Sequence, residues 1–121
     1  MHILVFSRAE AESPKHYCLK IPHAWIAIRD SKGGRYPDLP VNKQRVAVLQ
    51  LTFDDIEHPV KNFVDFDSSH AVQILDFVEA TKGRVEGYGI NCYAGISRSA
   101  GVATALCRYF ESAPWTTSLL E

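Results

Sequence analysis

With 121 residues, 46% of them hydrophobic and 22% charged, the chain has the size and composition of one globular domain spanning 1–121. Thirteen Lys and Arg against 14 Asp and Glu leave a net charge of −1, which excludes the broad basic field that holds nucleic acid or an anionic membrane. Any anion the protein binds must be met by a local device.

The first apolar run, Ile3 to Phe6, is four residues long. That is short for the core of a signal peptide, and no later run approaches the roughly 18 apolar residues of a membrane span. It reads as a strand, as does Ala24-Trp25-Ile26-Ala27-Ile28, with Trp25, Ile26 and Ile28 as sheet core. The segment between them, Ser7 to Ile21, is ambiguous. Asp30 to Lys43 carries Gly33, Gly34, Pro37 and Pro40 and reads as loop, and the overlapping RDSKGGR segment, with Arg29, Lys32 and Arg35, reads as solvated in preference to meeting a phosphorylated partner. Arg45 to Phe53, RVAVLQLTF, has the strongest strand pattern in the chain and is ended by Asp54, Asp55 and Pro59.

A helix follows a polar connection. Asp67, Ser68 and Ser69 offer N-cap oxygens, Ala71, Ile74, Leu75 and Val78 fall on one face, and Gly83 is the expected stop. Val85 to Asn91 reads as another strand, weakened by Gly87 and Gly89. A turn, YAGISRS, leads into a helix over Ser99 to Phe110 with Val102, Leu106 and Tyr109 on one side and Pro114 closing it. Strands and helices in this order predict an α/β fold: a single central sheet of four to five strands, largely parallel, flanked by helices.

The chemistry concentrates at Asn91-Cys92-Tyr93-Ala94-Gly95-Ile96-Ser97-Arg98-Ser99. A cysteine at a strand end, five loop residues, then arginine and serine opening a helix suit a phosphate dianion. Successive backbone N–H groups of Tyr93, Ala94, Gly95, Ile96 and Ser97 and the helix N-terminus can converge on one anion. Gly95 gives the loop backbone angles closed to other residues. Arg98 adds a planar fork for two phosphate oxygens. The same potential lowers the pKa of a thiol, so Cys92 is the candidate nucleophile, and Ser99 is placed to donate a hydrogen bond to its sulfur.

Cys92-x5-Arg98-Ser99 resembles the signature of the protein tyrosine phosphatase superfamily, and CYAGISRS is similar to its compact dual-specificity branch, including small bacterial members. The likeness covers about residues 45–110, taking in LTFDDI, the HAVQILDFVEA helix and the GVATAL helix. It implies a phosphomonoester hydrolase working through a cysteinyl-phosphate without metal or other cofactor, most simply on a phosphorylated protein. By the F-x-D-I pattern of that branch, Asp55 is the preferred general acid and then base, with Asp54 its nearest rival and Asp65 and Asp67 behind them. Asn91 stands where the branch usually has histidine. That departure keeps open a phosphate-binding module with little or no turnover, and a sulfur-transfer or arsenate-reducing enzyme is a further alternative.

Of the remaining cysteines, Cys107 and Cys18 read as small core residues. An odd, sparse set of three is unlike a secreted disulfide scaffold and points to a reducing cytoplasm. The histidines, His2, His16, His23, His58 and His70, show no metal-ligand spacing. Oligomeric state is not encoded in any feature of the sequence.

Overall fold

The computed structural model describes residues 1–14 and 20–117, so Cys18 and His16 lie outside the described residues. Strand β1 (His2–Ser7) runs into a single helical turn, α1 (Arg8–Ala11), and is followed by β2 (His23–Arg29), β3 (Arg45–Thr52), helix α2 (Ser68–Thr81), β4 (Gly87–Cys92), helix α3 (Arg98–Phe110) and the short β5 (Thr116–Thr117). All neighbouring strands pair in parallel, in the order β3-β2-β4-β1-β5. The expected α/β fold with one central sheet is therefore present, and among the described residues the sheet has five strands, all parallel.

The hydrophobic pattern explains which strands are interior. β1, β2 and β4 are buried on both faces and read as continuous apolar runs, as parallel strands covered on both sides do. β3 lies at an edge and alternates: Ala47, Leu49 and Leu51 turn inward while Val46, Val48 and Gln50 are exposed. The main core joins Ile3, Val5, Ile26, Ile28, Tyr88 and Ile90 to α2 and α3. The opposite face holds a smaller cluster of Leu4, Phe6, Ala11, Trp25 and Ala27, so Trp25 and its neighbour Ile26 serve different layers.

Gly89 is what lets the second cluster form. It stands opposite Trp25 in the β2–β4 register, and a Cβ on it would run into the indole ring carbons Cζ3 and Cε3. The indole lies over β4 and donates from Nε1 to Asn91 Oδ1 at 2.9 Å. The glycine that weakens the strand pattern in the sequence is required for close approach of an aromatic side chain.

Three expectations are corrected. The buried positions of α2 are His70, Ile74, Val78 and Thr81, and Leu75 is 49% exposed; the inward stripe runs at i, i+4, i+8 and i+11, and His70 occupies its first turn because its ring caps the helix. His70 Nδ1 accepts from Asp67 N–H at 3.0 Å, and Nε2 lies 3.0 Å from the Thr52 carbonyl, so one tautomer satisfies both atoms. Gly83 is not the stop: α2 passes into a 3₁₀ turn, Lys82–Arg84, in which Gly83 keeps ordinary backbone angles. Helix α3 ends at Phe110 as expected, but Glu111 and not Pro114 closes it, taking a left-handed conformation with φ 51° and donating its N–H back to the last turn.

A parallel sheet places every strand's carboxyl end along one rim, where ligand sites of α/β folds gather. Here the rim collects Ser7, Asp30, Phe53 to Asp55 and Cys92. Among the described residues no helix is long and apolar enough to cross a membrane.

Candidate active site

Cys92 ends the middle strand of the sheet and is 2% exposed. The loop that follows is seated on the start of α1, with the Arg8 N–H donating to the Tyr93 carbonyl at 3.1 Å and the Arg8 guanidinium 4.9 Å over the Tyr93 ring. Gly95 has φ +71° and sits against β1, where a Cβ would come within 2.6 Å of Ser7 N and 2.7 Å of the Phe6 carbonyl carbon. Both the turn and the close approach demand glycine.

The loop folds inward onto sulfur. Ser99 Oγ lies 3.1 Å from Cys92 Sγ, and backbone N–H groups of Ser99, Gly95 and Ile96 donate to the same atom. Burial alone would push the thiol up, but these four donors outweigh it and hold Cys92 below its ordinary value. Alkylation of Cys92 by iodoacetamide should accordingly reach half its maximal rate below the ordinary thiol pKa of about 8.5, with Ser99→Ala moving that midpoint upward. Midpoints at the free-thiol value in both proteins would contradict the cage. Because the folded-state value is depressed, thiolate formation adds stability as pH rises through that value. The gain is complete above the unfolded value and absent below the folded one.

Ser97 precedes α3 at the position where a serine side chain usually caps the first N–H groups, yet it makes no such bond. Its hydroxyl instead donates to Asp55 Oδ1 at 3.0 Å. This ties the exposed Asp55 carboxylate to the loop and leaves α3 without a side-chain N-cap from Ser97.

Arg98 folds inward, its side chain 9% exposed. Nη1 donates to Asp30 Oδ1 at 2.7 Å and to the Phe53 carbonyl at 2.9 Å. Its Nε–H is buried and has no acceptor. Its stem also lines an apolar pocket of about 340 Å³ with Phe53, Phe66, Ile74 and Val102, surroundings that make an unpaired guanidinium N–H costly.

Asp54, adjacent in sequence to Asp55, faces elsewhere. It is 7% exposed. Oδ1 accepts from Ser31 N–H at 3.0 Å, and Oδ2 accepts from Ser31 Oγ at 2.5 Å and Val64 N–H at 2.7 Å. Burial opposes ionisation, but these bonds and the charge of Arg98 hold the carboxyl below its usual range. Asp67 is occupied as the N-cap of α2, accepting from Ser69 and His70. Cys107 is buried inside α3.

The structure thus pairs Cys92 with Ser99 and Ser97 with Asp55, and turns Arg98 to Asp30 and the Phe53 carbonyl. Sequence reasoning left out Asp30, which it placed at the start of a loop; the one available signal was its position just after a strand that precedes the site strand in a parallel sheet. Asn91 turns away from the loop toward Trp25, its Nδ2 buried without a partner. Arg35 is paired with Glu12 at 2.6 Å. Among the described residues no cluster of three His, Cys, Asp or Glu could hold a metal ion. No protein-family model, curated protein or solved structure matches the chain.

Proposed function

We propose that the chain is a cysteine-dependent phosphomonoester hydrolase similar to the compact dual-specificity branch of the protein tyrosine phosphatase superfamily. The observation that carries this reading is the state of Cys92: a buried sulfur drawing one hydroxyl and three backbone N–H donors is arranged as an anion. Core packing of a neutral thiol requires none of them. The buried Nε–H of Arg98, lacking an acceptor, supports the same reading, because a phosphoryl oxygen is the acceptor it would take.

In the first step the Cys92 thiolate attacks phosphorus, an S–P bond forms and the bond from phosphorus to the leaving oxygen breaks. Asp55 gives that oxygen its proton. The backbone N–H groups of Tyr93 to Ser97 and the Arg98 fork hold the equatorial oxygens as charge redistributes. In the second step water attacks phosphorus and passes a proton to Asp55, and the S–P bond breaks. The Ser99 hydroxyl, 3.1 Å from sulfur, stabilises the departing thiolate. No step calls on a cofactor.

The substrate we assign is a phosphorylated protein side chain. Tyr93 and Ile96, 61% and 74% exposed, give the loop an apolar rim against which a peptide can lie. A reducing compartment such as the cytoplasm keeps the thiol available.

Incubation with an aryl phosphate, followed by acid quench and peptide mass spectrometry, should find one phosphoryl group on Cys92. A persulfide or a Cys92 disulfide in its place would assign a sulfur-transfer or arsenate-reducing enzyme. Phosphate binding with neither adduct nor turnover would assign an anion-binding module.

A further inference from the structure

We infer that Asp30 is a positioning residue for Arg98, setting which edge of the guanidinium faces a bound phosphoryl group. The inference rests on the reading of Arg98 as the phosphate clamp. A guanidinium offers two N–H groups on Nη1 and a separate edge formed by Nε and Nη2. In this protein Nη1 is taken up by two acceptors from two strand ends: Asp30 Oδ1 at 2.7 Å, directly after β2, and the Phe53 carbonyl at 2.9 Å, directly after β3. Two fixed bonds on one nitrogen define the guanidinium plane. The edge they leave over contains the buried Nε–H that has no acceptor. A bidentate pair with two phosphoryl oxygens needs an unengaged edge of that kind, held in a fixed plane.

Asp30 is itself well anchored. The next residue, Ser31, is held through both its N–H and its hydroxyl by Asp54, and Gly34 folds back against the Asp30 backbone. Asp54 therefore secures Ser31, Ser31 fixes the chain beside Asp30, and Asp30 orients Arg98. This gives a role to the Asp54 carboxylate that requires no proton transfer.

Position and charge make opposite predictions. A carboxylate beside Arg98 offsets part of the positive charge that a dianion meets, so an effect through charge alone would make every neutral replacement bind phosphate more tightly. Asp30→Asn keeps an oxygen acceptor for Nη1 and removes the charge; Asp30→Ala removes both. If Asp30 positions Arg98, Asp30→Ala should raise the inhibition constant of inorganic phosphate and lower kcat/KM on an aryl phosphate by about 10–100-fold, the scale expected when a clamp shifts by about an ångström. Asp30→Asn should remain within about threefold of wild type in kcat/KM and bind phosphate at least as tightly.

The Asp30→Ala effect should also disappear in an Arg98→Ala background, which a general structural loss would not do. The pH midpoint for Cys92 alkylation should be the same in the wild type and both Asp30 variants. Equal tightening of phosphate by Asn and Ala, or an Ala effect that persists without Arg98, overturns the positioning role. If Arg98→Ala alone leaves phosphate inhibition unchanged, it is the clamp reading that fails. If Arg98→Ala loses phosphate and Asp30→Ala does not, only the role of Asp30 fails.

Discussion

Cys92→Ser should abolish hydrolysis of aryl phosphates, a loss on the order of 10⁴–10⁶ in kcat, while inorganic phosphate still binds. The size follows from the site. Cys92 is 2% exposed and its pKa is depressed by four donors, so the thiolate is the form the loop stabilises. A serine hydroxyl in the same place remains protonated near neutral pH, and the loop holds no base against it; Ser99 Oγ, its nearest hydroxyl neighbour, has no acid–base range there. Oxygen for sulfur is a small change in volume. The loop is meanwhile fixed by contacts that do not involve the sulfur, namely Gly95 against β1 and Tyr93 on Arg8. Phosphate binding and turnover should therefore separate cleanly in this variant, measured by isothermal calorimetry and by initial rates. Residual hydrolysis within about tenfold of wild type would mean that the chemistry lies elsewhere in the chain. Loss of phosphate binding together with turnover would mean that the sulfur organises the loop more than it reacts.

How far the sequence announced this arrangement depends on the range of each interaction. The buried strands were legible as apolar runs because a parallel strand covered on both faces has little choice of residue. The Cys92 to Ser99 loop was legible because all its parts are local: glycine, arginine and serine at fixed offsets from one cysteine, closed by a helix start. Asp30 was not, since its partner stands 68 positions away and nothing in the DSKGG segment distinguishes a clamp-setting aspartate from a loop aspartate. The use of Gly89 within the expected strand is hidden for the same reason. Its cost to a strand is a local property, and the indole it accommodates comes from another strand. Leu75 differs through another cause: apolar residues on α2 extend beyond the stripe that packs inward, and Val72 and Leu75 remain exposed there. Asn91 stands where the branch that the signature resembles usually has histidine, and its amide oxygen receives the Trp25 indole. What stands next to Cys92 here serves the sheet beneath it.

The two adjacent aspartates make the second large effect testable. Asp55→Asn should lower turnover of a substrate with a poor leaving group, such as phenyl phosphate, by about 10²–10⁴-fold, the usual contribution of a positioned general acid. A nitrophenyl ester should lose far less, since its leaving group departs without needing a full proton. That dependence on the leaving group is the signature of proton donation, the role proposed for Asp55, whose exposed carboxylate accepts from the Ser97 hydroxyl at 3.0 Å. Asp54→Asn should behave differently. The Asp54 carboxylate accepts three bonds from Ser31 and Val64, and an amide in its place offers one oxygen and turns an NH₂ toward a donor. Its cost should appear first as a lower melting temperature. Because the folded pKa of Asp54 is depressed, the wild-type advantage over Asp54→Asn should be fully present above the ordinary carboxyl range and should shrink as pH falls through the depressed value. Any loss of activity in Asp54→Asn should be alike for phenyl and nitrophenyl esters, because it acts through Ser31, Asp30 and Arg98 on phosphate placement and leaves the proton at Asp55. A loss confined to the poor leaving group in Asp54→Asn, with Asp55→Asn unaffected, would move the general acid one residue upstream.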